Sequence, residues 1–189
     1  MKKSLLQLPC LALLAVTGFA EKIDLGAGKA VLLTVPAAWV SAELPPAPPD
    51  MPALGRNVRY VTKNGSNDAM LITVLPVPDD RLNDPENLKA MVGMATQQFV
   101  AGSVEGRADI KEAKFAGVSG FSATFTDANL VGKPSVKEDY KAMTSFFFYL
   151  GDHVLVTATL FTDELGGPAY AEGLRILKSI SLQLPKDNI

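Results

Sequence analysis

Apolar and polar positions divide this chain into one long apolar opening and a series of short segments with two different periods. Leu5 to Phe19 is largely apolar and follows two lysines. Ala30 to Val35 is β-branched and apolar and stops at Pro36, which has no amide to give a sheet ladder; it predicts a strand. Val58 to Thr62 and Ala69 to Leu75 repeat that composition on either side of Lys63-Asn64-Gly65-Ser66. Asn-Gly takes positive φ readily, so the pair predicts a hairpin. The period then changes. Leu88, Met91, Val92, Ala95 and Phe99 recur at helical spacing, with Asn83 or Asp84 as cap, Pro85 at the first helical position, and Gly102 as the stop. Met91 and Met94 are expected as core filler.

Ile110 to Phe115 and Phe121 to Phe125 predict a second hairpin around Gly117-Val118-Ser119-Gly120. Asp127 to Val136 is a polar loop, and the two strongest strands, Tyr140 to Leu150 and His153 to Thr162, follow it. They meet at Gly151-Asp152, where a leading glycine predicts a type II′ turn. Phe146 and Phe148 point to one face, and Phe147 and Tyr149 to the other, which places these strands centrally with material on both sides. Gly167-Pro168 opens a second helix with Tyr170, Leu174 and Leu177 on one stripe, and Ile180 to Leu184 reads as a short last strand. Strands joined by tight turns must be antiparallel. The expectation is α+β: a central antiparallel sheet of about six or seven strands flanked by helices, an α/β/α sandwich.

Composition changes the picture at the N-terminus. Lys2 and Lys3, the apolar run, and small residues at Gly18 and Ala20 match a secretory signal peptide cut after Ala20. Lipidation at Cys10 would want a leucine three residues upstream and small residues before the cysteine; the chain has Gln7, Leu8 and Pro9 there. The run is also shorter than the roughly 20 residues of a membrane span and is broken by Pro9. The reading is therefore residues 1–20 as signal peptide and 21–189 as one domain, periplasmic or secreted, with no integral membrane segment after cleavage. Cleavage removes the only cysteine, so no disulfide is expected, and it takes the formal charge from −2 to −4. A mildly acidic chain lacks the basic face that nucleic acid requires.

Val35-Pro36-Ala37-Ala38-Trp39 resembles the proline, two residues, tryptophan signature near the start of PsbP-like domains. The glycine-bearing turn at Gly117 to Gly120, the hairpin at Gly151-Asp152 and the closing Ile176-Leu177-Lys178-Ser179-Ile180 are similar as well. The likeness covers most of residues 30–184. This superfamily includes the PsbP photosystem subunit, the Ran-binding Mog protein and bacterial envelope families. The resemblance implies an antiparallel sheet between helices. It implies no catalytic mechanism, because its members act mostly as binding or accessory proteins and fold alone does not set function.

The residues themselves carry little reactive chemistry. His153 is the only imidazole and flanks a turn, where a half-exposed strand-end residue is the default and catalysis the lesser alternative. Gly117-Val118-Ser119-Gly120-Phe121 lacks the last glycine of a nucleophile elbow, and Gly26-Ala27-Gly28-Lys29 lacks the flanks of a phosphate loop. Asp79, Asp80 and Asp84, Glu138-Asp139 and Asp163-Glu164 are acidic clusters without the calcium-loop pattern, and capping or solvation describes each. No metal, cofactor or catalytic residue is assigned. Asn64-Gly65-Ser66 matches a glycosylation acceptor, but the turn accounts for it. Trp39 and the stiff segment Pro45, Pro46, Pro48, Pro49 are the binding candidates, set against the alternative that Trp39 packs in the core.

The expected function is that of an exported, non-enzymatic accessory protein acting on an envelope protein partner. A carrier of a small apolar ligand in a pocket between sheet and helix is the alternative, and a carboxylate-based hydrolase is a third. A deep apolar cavity favours the carrier, facing acids in a cleft favour the enzyme, and an exposed apolar patch near Trp39 favours a protein partner.

Overall fold

A computed structural model of the chain describes residues 18–44, 55–78, 80–115 and 117–185. Ten strands, two α-helices and one 3-10 turn alternate along it. β1 (Gly18–Gly26) and β2 (Lys29–Pro36) form a hairpin, and β10 (Ser181–Gln183) pairs with the other side of β2. These three make a small antiparallel sheet. The remaining strands are β3 (Trp39–Ala42), β4 (Arg56–Thr62), β5 (Ala69–Pro76), β6 (Lys111–Phe115), β7 (Val118–Thr126), β8 (Ala142–Gly151) and β9 (Val154–Thr162). They form one seven-stranded antiparallel sheet in the order β3-β4-β5-β9-β8-β7-β6. The α+β expectation is met, and β8 and β9 are indeed central.

Period-two alternation sorts the large sheet's side chains. Tyr60, Met70, Ile72, Val74, Phe146, Phe148, Val156 and Leu160 share one face and are buried beneath β2, β10 and α2 (Pro168–Ser179), which adds Ile176 and Leu177. Gly173 lets α2 lie close: a Cβ there would stand 2.8 Å from the Leu160 methyls. The opposite face is covered by α1 (Pro85–Val100), which lays Leu88 and Val92 over Phe121, Tyr149 and Leu155. Asp84 caps α1 by accepting from the Glu86 amide at 2.9 Å, and Pro85 occupies the first turn, as the sequence predicts. α1 packs over β7 and β8. On the same face Val61, Leu71, Thr73, Thr157, Thr159 and Phe161 remain half-buried.

Two strands appear that the sequence did not predict, and two local expectations are corrected. The proposed cleavage point lies within a strand: β1 runs from Gly18 to Gly26, pairing Ala20 with Thr34 and Glu21 with Leu33. Its charged residues hide the strand because it is an edge, solvated on one side. β3 is a further strand, four residues long and too short to carry a period. The β8–β9 turn is centred on Asp152-His153, with φ of 49° and 63°, between Gly151 and Val154. Two positive φ values make it type I′ in character, not type II′. Finally, Met94 is 74% exposed, while Thr96 takes the buried place on that turn of α1 by donating to the Val92 carbonyl at 2.7 Å.

Candidate functional site

Trp39, the sequence's leading binding candidate, is completely buried. It opens β3 directly after the Pro36-Ala37-Ala38 link between the two sheets, and its indole N–H donates to Glu172 of α2 at 3.2 Å. In this position it pins β3 to α2 and presents no surface, so the packing alternative describes it. Pro45, Pro46, Pro48 and Pro49 lie outside the described residues.

Immediately beside β3 the sheet edge carries an open cleft of about 810 Å³. Ala42, Arg59 and Val61 form its floor, the β4–β5 turn one wall, and residues 135–140 the other. One side chain builds the second wall. Asn67 donates its amide to the carbonyls of Val136 and Asp139, both at 3.0 Å, and to Asp163, and accepts from the Glu138 amide at 2.9 Å. An asparagine has two donors and one carbonyl acceptor, and here both kinds hold a loop roughly seventy positions away in sequence. Asp163 accepts in turn from the Lys141 amide at 3.1 Å. Burial would raise its pKa, but hydrogen bonds from Ser135, Lys141 and Asn67 outweigh this and hold the carboxyl below its ordinary range. Such a group is ionised at neutral pH and accepts protons' hydrogen bonds without supplying a proton. Arg59 reaches the Glu43 carbonyl at 3.3 Å, the Tyr140 hydroxyl at 3.4 Å and Glu138 at 3.6 Å. Val136 stands in this bonded wall with its side chain outward, 53% exposed.

Tyr140 also borders a second hollow, on the α1 side of the large sheet. Phe125, Met143 and Phe161 lie side by side across β7, β8 and β9 in register. Phe99 from the last turn of α1 packs on Phe125 with ring centres 5.7 Å apart, and Tyr140 packs on Phe161 at 5.0 Å. Together with Gln98, Ser103 and Asp127 they enclose about 290 Å³. The sequence placed Phe99 on the apolar stripe of α1 and Phe125 at the end of a strand; the register that brings Phe161 beside Met143 was not legible in it.

The other candidates have structural partners. His153 is half-exposed, its Nδ1 is 3.8 Å from Asp80, and its amide donates to the Tyr149 hydroxyl at 3.0 Å. That hydroxyl donates to Asp80, and burial followed by this bond raises the Tyr149 pKa. Tyr60 is buried too and donates to Glu21 at 2.5 Å; both effects push its pKa up, so it stays a proton donor. Gly26-Ala27-Gly28 is the β1–β2 turn, and Lys29 pairs with Asp152 at 2.6 Å, joining two turns. Asn64 accepts from the Ser66 amide at 3.0 Å, the geometry expected of the turn. Asp79 lies outside the described residues. Among the described residues no group of three or more His, Cys, Asp or Glu side chains could hold a metal ion, and no helix is long and apolar enough to cross a membrane.

No protein-family profile matches the chain, and a comparison with curated proteins finds no significant match. Solved structures do resemble it. Cyanobacterial PsbP (CyanoP) from Synechocystis is 12% identical over 93% of this chain and 96% of that one, with a TM-score of 0.51. The Saccharomyces cerevisiae Ran-binding protein Mog1p is 15% identical over 87% of this chain and 95% of that one, with a TM-score of 0.46. At such identities the likeness concerns the course of the backbone alone.

Proposed function

We propose that this chain, which has the PsbP-like fold, is an exported, non-enzymatic accessory protein that docks on a protein partner of the cell envelope through the cleft beside β3. The basic and apolar first twenty residues support export. The observation that carries the docking surface is the wall held by Asn67. Its bonds to 136, 138 and 139 order the loop before any partner arrives, so little further entropy is lost on binding. Val136 offers an exposed apolar contact on that ordered wall, and Val40 and Leu44 add exposed apolar side chains on and just after β3. The mixture of Arg59, Glu138 and Asp68 around it suits a polar protein surface.

Photo-crosslinking in the native cell tests the reading. A photoreactive residue at position 136 is expected to give one discrete heavier species in the envelope fraction, while the same residue at the exposed position 94 gives none. Equal adducts at both positions, or none at 136, overturn it. N-terminal sequencing of the recovered chain is expected to begin at Glu21.

A second reading, a carrier of a small ligand, is favoured by one observation: the aromatic hollow between α1 and the sheet. Its volume of about 290 Å³ falls just below the roughly 300–1,000 Å³ of ligand pockets, so it suits only a small ligand.

A further inference from the structure

The aromatic hollow carries more than an apolar preference. We propose that it is a binding site for a small organic cation bearing a quaternary ammonium head; the proposal rests on the second reading above and names its ligand class. Four rings contribute to it, Phe99, Phe125, Tyr140 and Phe161, paired at 5.7 Å and 5.0 Å. Aromatic rings attract a cation through their quadrupoles, and the attraction grows where water is displaced. A small neutral apolar ligand would be served equally well by Leu or Ile walls.

The charge that lines the hollow has the sign that a cation needs. Among the described residues no Lys, Arg or His side chain lines it, whereas Asp127 does. Asp127 accepts from the Asn129 amide at 2.7 Å, an uncharged partner, and among the described residues it joins no ion pair. Glu105 accepts from the amide and hydroxyl of Thr126, both at 2.8 Å, and so braces the strand end beside the hollow from the other face of the sheet. α1 ends at the hollow with Gln98 and Phe99 and has no basic residue in its last turn, so its negative dipole end is unneutralised. Arg59 approaches the hydroxyl end of Tyr140 and is paired with Glu138, while Lys141, between Tyr140 and Ala142, lies close enough to Asp163 to help hold that carboxyl ionised.

The rim is also pre-ordered. The Val104 amide donates to the Thr126 carbonyl at 2.8 Å, and the Ala128 amide donates to the Gly102 carbonyl at 3.0 Å. Two loops that meet nowhere in sequence are thereby fixed around the opening. The volume suits a trimethylammonium group with a short tail.

The test compares choline with its uncharged carbon isostere, in which carbon replaces the quaternary nitrogen. Both are titrated into the purified chain and followed by calorimetry and by aromatic proton shifts. Choline is expected to bind about ten-fold or more tightly than the isostere. Phe161→Leu, which keeps apolar volume but removes a ring, and Asp127→Asn, which keeps the acceptor for Asn129 but removes the charge, are each expected to weaken choline several-fold. Unchanged far-UV circular dichroism shows that the variants fold. Equal binding of both compounds overturns the cation assignment and leaves the carrier reading standing. Binding of neither overturns both. Choline binding that survives Phe161→Leu and Asp127→Asn unchanged places the site elsewhere and overturns the proposal.

Discussion

Single residues do unequal work in this molecule, and the two most telling ones are polar. Asn67 uses both ends of its amide to hold residues 136–139. Asn67→Ala is expected to leave the central sheet intact and cost about 2 kcal/mol, from several hydrogen bonds worth roughly 0.5–1.5 kcal/mol each and not fully additive. Hydrogen exchange should read the loss as faster exchange confined to the Glu138 amide and its neighbours. Asp163 supplies a pH test. Its folded-state pKa is lowered, so as pH falls the unfolded chain takes up the proton first. The stabilisation is therefore complete above about pH 4 and is lost as pH falls through the folded-state value. Denaturant unfolding of Asp163→Asn against the parent chain should show the largest difference near about pH 7 and a shrinking one below about pH 4. Asn67 did not stand out in the sequence, and Asp163 did so only as one of several acidic clusters that capping or solvation describes, because asparagine and aspartate in turns are ordinary; only the partners they reach reveal their roles.

At the scale of elements, helices and long strands were legible because each carries its own period. Leu88 and Val92 on α1, and Phe146 and Phe148 on β8, sit where helical and two-residue spacing put them. What failed was short or edge-bound. β1 is solvated on one side, β3 spans four residues, and the β8–β9 turn needed a register to decide which two residues lie at its centre. Close packing between strands was equally hidden. Gly120 of β7 lies so near β8 that a Cβ would stand 2.4 Å from the Phe147 carbonyl oxygen and 2.8 Å from the Phe148 Cβ. The obstacle includes backbone, which cannot swing aside. Gly120→Ala is expected to destabilise by about 1–3 kcal/mol, read as a lower thermal midpoint, despite placing a better-behaved residue in a strand.

For the whole molecule, the sheet is roofed unevenly. α2 and the small sheet close one face over β9 and its neighbours, while α1 covers β7 and β8 on the other. The aromatic hollow opens where α1 ends, and the cleft lies at the β3 edge, with Tyr140 bordering both. The proposed docking and ligand surfaces are thus gaps in a layered fold, each walled by loops that hydrogen bonds from distant residues hold in place.

The sequence by itself determined the elements with a strong period, the antiparallel connections imposed by tight turns, and the resemblance to the PsbP-like fold. These are local matters, set by side-chain spacing, glycine and proline. Only the tertiary structure decided that Trp39 belongs to the core, that β1, β2 and β10 form a second sheet, and that Asn67, Arg59 and Val136 share a cleft while Phe99, Phe125 and Phe161 share a hollow. The physical reason is register. Which residues meet across a sheet depends on how strands distant in sequence slide past one another, and a slip of one residue would have turned strand residues such as Arg59, Phe125 and Phe161 to the other face.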